Sequence, residues 1–137
     1  MLATEVDNEF FQRELESFLP NRIFDAHTHL WKDDLVSWSV PGFEGDAGHP
    51  DYVKLMCDIH GSRPTDALFI PFVTIEHRDG TLDANAWVSQ NIENQPNCRG
   101  LFFIRPEDDP EWVRDEVRRL GLHGLKCYHS MAPVGPT

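Results

Sequence analysis

Arg22-Ile23-Phe24-Asp25-Ala26-His27-Thr28-His29-Leu30-Trp31 is the stretch on which the reading of this chain turns. An apolar run leads into Asp25-x-His27-x-His29, and polar and aromatic residues follow at once. Read as a β-strand from Ile23 to His29, it alternates its side chains between two faces. Asp25, His27 and His29 then share one face, and Phe24, Ala26 and Thr28 the other. Histidines two apart on a strand have Cα atoms roughly 6.5–7 Å apart, so both imidazoles can lean onto one ion at Zn–N distances of about 2.0–2.1 Å. Imidazole suits zinc, iron, nickel or copper better than magnesium or calcium. The plain alternative is two polar residues at an exposed strand end. Position favours metal: the pair closes a buried-looking strand that follows a helix. Asp25, one step deeper, is better placed to orient a ligand than to be one.

Outward from this stretch, the chain alternates helix and strand. Phe11, Leu15, Phe18 and Leu19 fall at helical spacing within Glu5 to Leu19, and Pro20 stops that helix, which is expected to cap one end of the fold. After His29, residues 31–50 carry Trp38, Pro41, Gly42, Gly45, Gly48 and Pro50, a long irregular loop. A second helix is predicted from Asp51 to His60 on the stripe Tyr52, Leu55, Met56, Ile59, with Gly61 as its stop. Ala67 to Thr74 reads as a second strand in which Pro71 marks a bulge or an irregular end. Helix Thr81 to Asn94, strand Arg99 to Ile104, a helix opened by Asp109-Pro110 and closed by Gly121, and strand Leu122 to Tyr128 complete the series. Met131 to Thr137 reads as a terminal loop.

Four strands alternating with helices, three of them near-continuously apolar, predict an α/β fold with a parallel sheet, both faces covered and right-handed crossovers. Function in such folds collects at the C-terminal ends of the strands. That rule selects His27, His29, the stretch Thr74 to His77, Arg105, and Lys126 to His129.

Composition narrows the classes. With 12 basic against 23 acidic residues the formal charge is −11, and no basic run or stripe is present. Nucleic acid and anionic membrane surfaces are therefore not expected partners. No apolar run approaches the roughly 20 residues of a membrane span, and the acidic N-terminus shows no secretory signal. Cys57, Cys98 and Cys127 form no Cys-x-x-Cys pair and lie in or beside apolar stretches, so reduced, buried thiols in a cytoplasmic protein are the expectation.

Phe24-Asp25-Ala26-His27-Thr28-His29-Leu30-Trp31, with Gly124-Leu125-Lys126-Cys127-Tyr128-His129 three β/α units later, resembles the amidohydrolase superfamily. It is most similar to the branch often called amidohydrolase-2, or amidohydrolase-related. The resemblance covers residues 21–137, with residues 1–20 as a helical cap. It implies about four β/α units, the N-terminal half of a metal-dependent (β/α)8 TIM barrel, since a complete one needs about 250 residues. It further implies a divalent metal, most readily zinc, held by His27 and His29 and activating water against an amide, ester or lactone of a small molecule. Lys126 matches the strand-four lysine that is carbamylated in binuclear members. The family's later ligands, a His on strand five, a His on strand six and an Asp on strand eight, have no counterpart in this chain. Decarboxylation of a small carboxylic acid is the alternative chemistry. A non-catalytic half-barrel that binds metal or a partner is the alternative class. A homo-oligomer, or association with a missing C-terminal half, is expected from an open sheet edge.

Other candidates have competing readings. Lys126 points into the barrel as a mechanistic or metal-bridging group, or forms a structural ion pair with a residue such as Asp25. Arg105 holds a substrate carboxylate through its planar fork, or pairs with Glu107, Asp108 or Asp109. His129 reads as a loop histidine facing solvent, Glu76 and His77 as surface loop, and Trp31 and Trp38 as pocket wall or plain packing.

Overall fold

Strand and helix alternate through the computed structural model, which describes residues 4–132. The elements are α1 (Glu5–Phe10), β1 (Ile23–Leu30), α2 (His49–His60), β2 (Thr65–Pro71), α3 (Thr81–Ile92), β3 (Arg99–Phe103), α4 (Pro110–Arg119) and β4 (Gly124–Lys126). All four strands pair in parallel in the order β1-β2-β3-β4. The strand bearing the histidines is therefore an edge strand, whereas a doubly wound sheet would put it in the middle. This α/β architecture is compatible with half of a β/α barrel.

Local chemistry sets the element ends. Thr4 and Asp7 cap α1 reciprocally, each side chain accepting the other's backbone N–H. The helix continues as a π turn over Phe11–Leu15 and a 3-10 turn over Glu16–Phe18, and none of these residues is buried. Rather than closing one end of the sheet, the segment leans on α2, where Leu55 and Ile59 share a groove with Phe10, Phe11 and Leu15. Asp109 caps α4 by accepting the Trp112 N–H at 2.9 Å, with Pro110 in the first turn as predicted. β2 ends at Pro71, three residues earlier than expected, as suits a residue without a ladder donor. β4 is shorter than the predicted Leu122 to Tyr128.

Helices cover one sheet face. Leu30, Ala67, Phe69 and Phe102 pack there against Tyr52, Val88, Ile92 and Val113. Gly100 is needed at this interface: a Cβ would lie 2.7–2.9 Å from Leu122, Ile92 and Val88. β3 leaves β2 after the Phe69–Gly100 pair. The fully buried Asn85 amide of α3 then takes over, accepting the Phe103 N–H at 2.7 Å and donating to its carbonyl at 3.0 Å.

The expectation that the strands are covered on both faces holds on the helix side and only in part on the other, where Ile70 and Phe103 are buried. On the opposite, open face Phe24 is 52% exposed, and Leu68 and Leu101 are half-buried. Leu125, which the register places on the helix side with Phe102, is 54% exposed. Two further expectations are corrected. Cys57 and Cys127 are exposed, and only Cys98 is buried. Met131 belongs to a 3-10 turn and sits 2% exposed in a second apolar cluster with Leu35, Val73, Ala84 and Phe103. The remainder of that terminal loop, residues 133–137, lies outside the described residues.

Candidate metal centre

β1 does not alternate regularly. Asp25 pairs with Ala67 and Thr28 with Phe69, so three steps on β1 match two on β2. The extra residue is a β-bulge, and it reverses the face of everything after it. Asp25 therefore shares the helix side with Ala67, while His29, opposite Ile70, turns to the open face. The expectation that Asp25, His27 and His29 share one face is corrected on this point. Asp25 Oδ1 accepts the His27 backbone N–H at 2.9 Å, an Asx turn that pins the bulge. Its Oδ2 accepts from the Tyr52 hydroxyl at 3.4 Å. Asp25 is thus engaged with β1 and α2, and an Asp25–Lys126 ion pair is not formed.

The two imidazoles nevertheless come together. Their ring centroids are 5.2 Å apart, edge to face at 65°. His27 is exposed and His29 half-buried. His29 Nδ1 is buried with no hydrogen-bond partner. A buried, unpartnered imidazole nitrogen is costly unless something occupies it. Burial, reinforced by the nearby His27, pushes the His29 pKa below its ordinary value, and Lys126 adds to this. The Ile70 backbone works the other way. His29 is therefore kept neutral, the form that ligates metal.

Lys126 ends β4 beside Phe103 of β3 in the register, and its Nζ lies 4.7 Å from the centroid of the Tyr128 ring. The Tyr128 hydroxyl is buried without a partner, and burial raises its pKa. Phe72 links the two ends of this mouth, with its ring 5.2 Å from His29 and 6.1 Å from Tyr128. Trp38 packs on Phe72 at 5.7 Å and Trp31 on Trp38 at 5.2 Å. The loop carrying these tryptophans is tied down by a Trp31–Ala47 bridge and by Trp87 Nε1 donating to the Ala47 carbonyl at 2.9 Å. A pocket of about 230 Å³ opens beside it, lined by His29, Trp31, Phe43 and Tyr52 among others. A groove of about 660 Å³ between the C-terminal ends of α3 and α4 is at the other end of the strands, away from the histidines.

The other sequence candidates do not join the pair. Arg105 is a half-buried residue just past β3, and its guanidinium is held by Asp108 Oδ1 at 2.9–3.0 Å and by Asp79 at 3.4 Å. Its fork is spent on protein carboxylates, chiefly Asp108, which also raise its pKa. Glu76 is exposed and accepts from Ser37, and His129 is exposed, both as expected of loop residues. Sequence reasoning missed Phe72, Tyr52 and the role of Tyr128. Phe72 was reachable, since it continues the parity of Ile70 past the strand end.

Among the described residues, no group of three or more His, Cys, Asp or Glu side chains converges on a metal position. Two imidazoles, one with an orphaned buried nitrogen, fit a cation such as zinc but leave it short of a closed shell. Comparison with protein-family models, with curated proteins and with solved structures gives no match.

Proposed function

We propose that this chain carries part of the metal centre of an amidohydrolase-type hydrolase, and that His27 and His29 are its metal ligands. The observation that carries the reading is the paired imidazoles at the C-terminal end of an edge strand, one with a buried nitrogen that makes no hydrogen bond. When bound, a divalent metal such as zinc supplies Lewis acidity and a water that ionises near neutral pH. The chain's own residues do the rest. The Asx turn at Asp25 holds the bulge that turns His29 to the open face. Burial keeps that ring neutral. Lys126, seated over Tyr128, offers a cation on the same side of the mouth to a developing negative charge or a substrate carboxylate. Phe72 and Trp38 wall the approach.

Decarboxylation of a small acid would use the same cation and the same walls. A non-catalytic metal-binding half-barrel is favoured by a separate observation: the described residues give two ligands and no third. Zinc content after dialysis, measured on the wild type and on the His27→Ala/His29→Ala double variant, tests the site. Equal zinc in both defeats it. Hydrolysis of ester, lactone and amide substrates by the zinc-loaded protein then separates enzyme from binding module.

A further inference from the structure

We infer that the groove between the C-terminal ends of α3 and α4 is a binding site for a small phosphorylated molecule, separate from the histidine pair and independent of the metal reading. It measures about 660 Å³, within the range of small-molecule sites. Every wall comes from residues 86–123, a stretch interior to the chain whose elements follow one another directly. Charge sets this groove apart. The chain carries 23 acidic against 12 basic residues. Here, however, Arg99, Arg118, Arg119 and His123 line one groove with a single carboxylate, Glu93.

Helix chemistry alone accounts for two of the four. Arg118 and Arg119 stand in the last turn of α4, where positive charge complements the helix dipole. Arg99 and His123 have no such reason, since Arg99 opens β3 and His123 lies between α4 and β4. The backbone fixes both. Arg99 Nη1 donates to the Pro96 and Cys98 carbonyls at 2.9 and 2.7 Å. Among the described residues, its Nε and Nη2 have no acceptor, and neither Arg118 nor Glu93 makes an ion pair. His123 accepts the Gly100 N–H at Nδ1 over 3.3 Å, and its own N–H donates to the Gly100 carbonyl at 2.8 Å. The ring proton of the neutral imidazole is therefore on Nε2, a further donor.

Free carbonyls at two helix C-termini would repel an anion, but these are engaged. Gln95 N–H donates to the Ile92 carbonyl at 2.9 Å, Leu122 N–H to that of Val117 at 3.0 Å, and Gly121 N–H to that of Arg118 at 3.2 Å. The Ser89 hydroxyl donates to the Leu120 carbonyl at 2.7 Å. What the groove still offers is guanidinium and imidazole N–H.

Donors brought by three separate elements select the anion. A carboxylate presents two oxygens in one plane and is matched by one guanidinium fork. A phosphate presents its oxygens tetrahedrally and accepts from several forks at once. Ile92 and Leu120 give the same groove an apolar wall for the carbon part of the ligand. A formal charge of −11 disfavours nucleic acid, which would extend past the groove over an acidic surface. A small phosphate meets only the local cations, because fields from the rest of the surface are screened beyond about 8 Å at physiological salt.

The test is calorimetric titration of the whole chain with inorganic pyrophosphate, in phosphate-free buffer and after removal of metal by chelator, so that no zinc holds the anion. One pyrophosphate should bind per chain. Arg99→Gln and Arg118→Gln should each weaken it roughly tenfold, as loss of a charge-assisted contact does. Glu93→Gln should tighten it. Arg114→Gln controls for net charge, since it removes a cation from the same helix that is paired with Glu111 and Asp115 and does not line the groove. That variant should stay within about twofold of wild type. All four side chains are exposed, so the circular dichroism spectrum should not change. The His27→Ala/His29→Ala variant should bind pyrophosphate normally. Absence of binding, confirmed by phosphorus magnetic resonance, overturns the inference. So does an affinity that falls equally in Arg114→Gln, or one that is lost in the histidine double variant. Malonate binding as tightly as pyrophosphate overturns the phosphate assignment, and duplex DNA binding more tightly overturns the small ligand.

Discussion

Removing the Asp25 carboxylate tests whether the bulge, rather than simple strand alternation, positions the histidines. Asp25→Ala deletes two contacts of unequal worth. The His27 N–H bond is 2.9 Å long and charge-assisted, which is worth about 1.5–3 kcal/mol when sheltered and less where solvent reaches it. The Tyr52 hydroxyl bond is 3.4 Å long, outside good O–H···O geometry, and contributes a few tenths of a kcal/mol at most by the same reasoning. Solvent reaches this bond, so Asp25→Ala should cost about 1.5 kcal/mol. Asp25→Asn, which keeps a neutral acceptor for the His27 N–H, should cost about 1 kcal/mol. Tyr52→Phe should cost under about 0.5 kcal/mol. Urea unfolding followed by circular dichroism at neutral pH gives the three values. Zinc titration gives a parallel series, because loss of the backbone turn that sets where His27 and His29 point weakens metal binding. The order Ala, Asn, Phe should hold in both. If Asp25→Ala is neutral in stability and in zinc affinity, the Asx turn does not hold the bulge and the account of His29 fails. If Tyr52→Phe costs as much as Asp25→Ala, the carboxylate is anchored from α2 and not through β1.

Asn85→Ala should cost about 2–5 kcal/mol, because it strands both the N–H and the carbonyl of Phe103 in a fully buried position; a loss under about 1 kcal/mol in urea unfolding would refute the assignment. Of the three thiols, Cys57 and Cys127 should react with a disulfide reagent in the folded protein, whereas Cys98 should not until unfolding, being 3% exposed with its pKa raised by burial; three equal fast phases would contradict this. In metal-free protein, the lowered His29 pKa means that the unfolded chain takes up the proton first as pH falls below the ordinary histidine value. Stability should therefore decline from about pH 6.5 downward until the depressed pKa is passed, and His29→Gln should flatten that limb of the stability–pH curve; an unchanged slope would show that burial does not hold this ring neutral.

Much of the fold was legible because local signals agreed. Pro20, Gly61, Gly121 and the Asp109-Pro110 cap mark boundaries by backbone chemistry that acts within a few residues, and the N-terminal helical segment, α2 and α4 begin or end close to them. Apolar runs located β2 and β3 for the same reason. What the runs could not show was which face is covered. Leu68, Leu101 and Leu125 read as interior because leucine usually is, but covering them requires atoms beyond the described neighbours of β2, β3 and β4. Cys57 and Cys127 misled in the same way: an apolar setting in sequence is not an apolar setting in space.

The site was legible in its residues and misread in its geometry, and the reason is a single inserted position. Strict alternation would have put Asp25, His27 and His29 on the helix side together, beneath α2 and away from the open face. One extra residue between Asp25 and Thr28 keeps Asp25 under Tyr52 yet turns His29 to the other side. No propensity in Ala26 or His27 announces a bulge. The one local hint is Asp25 itself, whose short carboxylate can capture the N–H two residues on. An aspartate two residues before a histidine can thus act on the backbone rather than on the ring. Here that backbone contact separates the carboxylate from the imidazoles by a whole sheet face. It follows that a metal at His27 and His29 must draw its remaining donors from across the open face, where Lys126 already lies, and not from the strand that carries the two ligands.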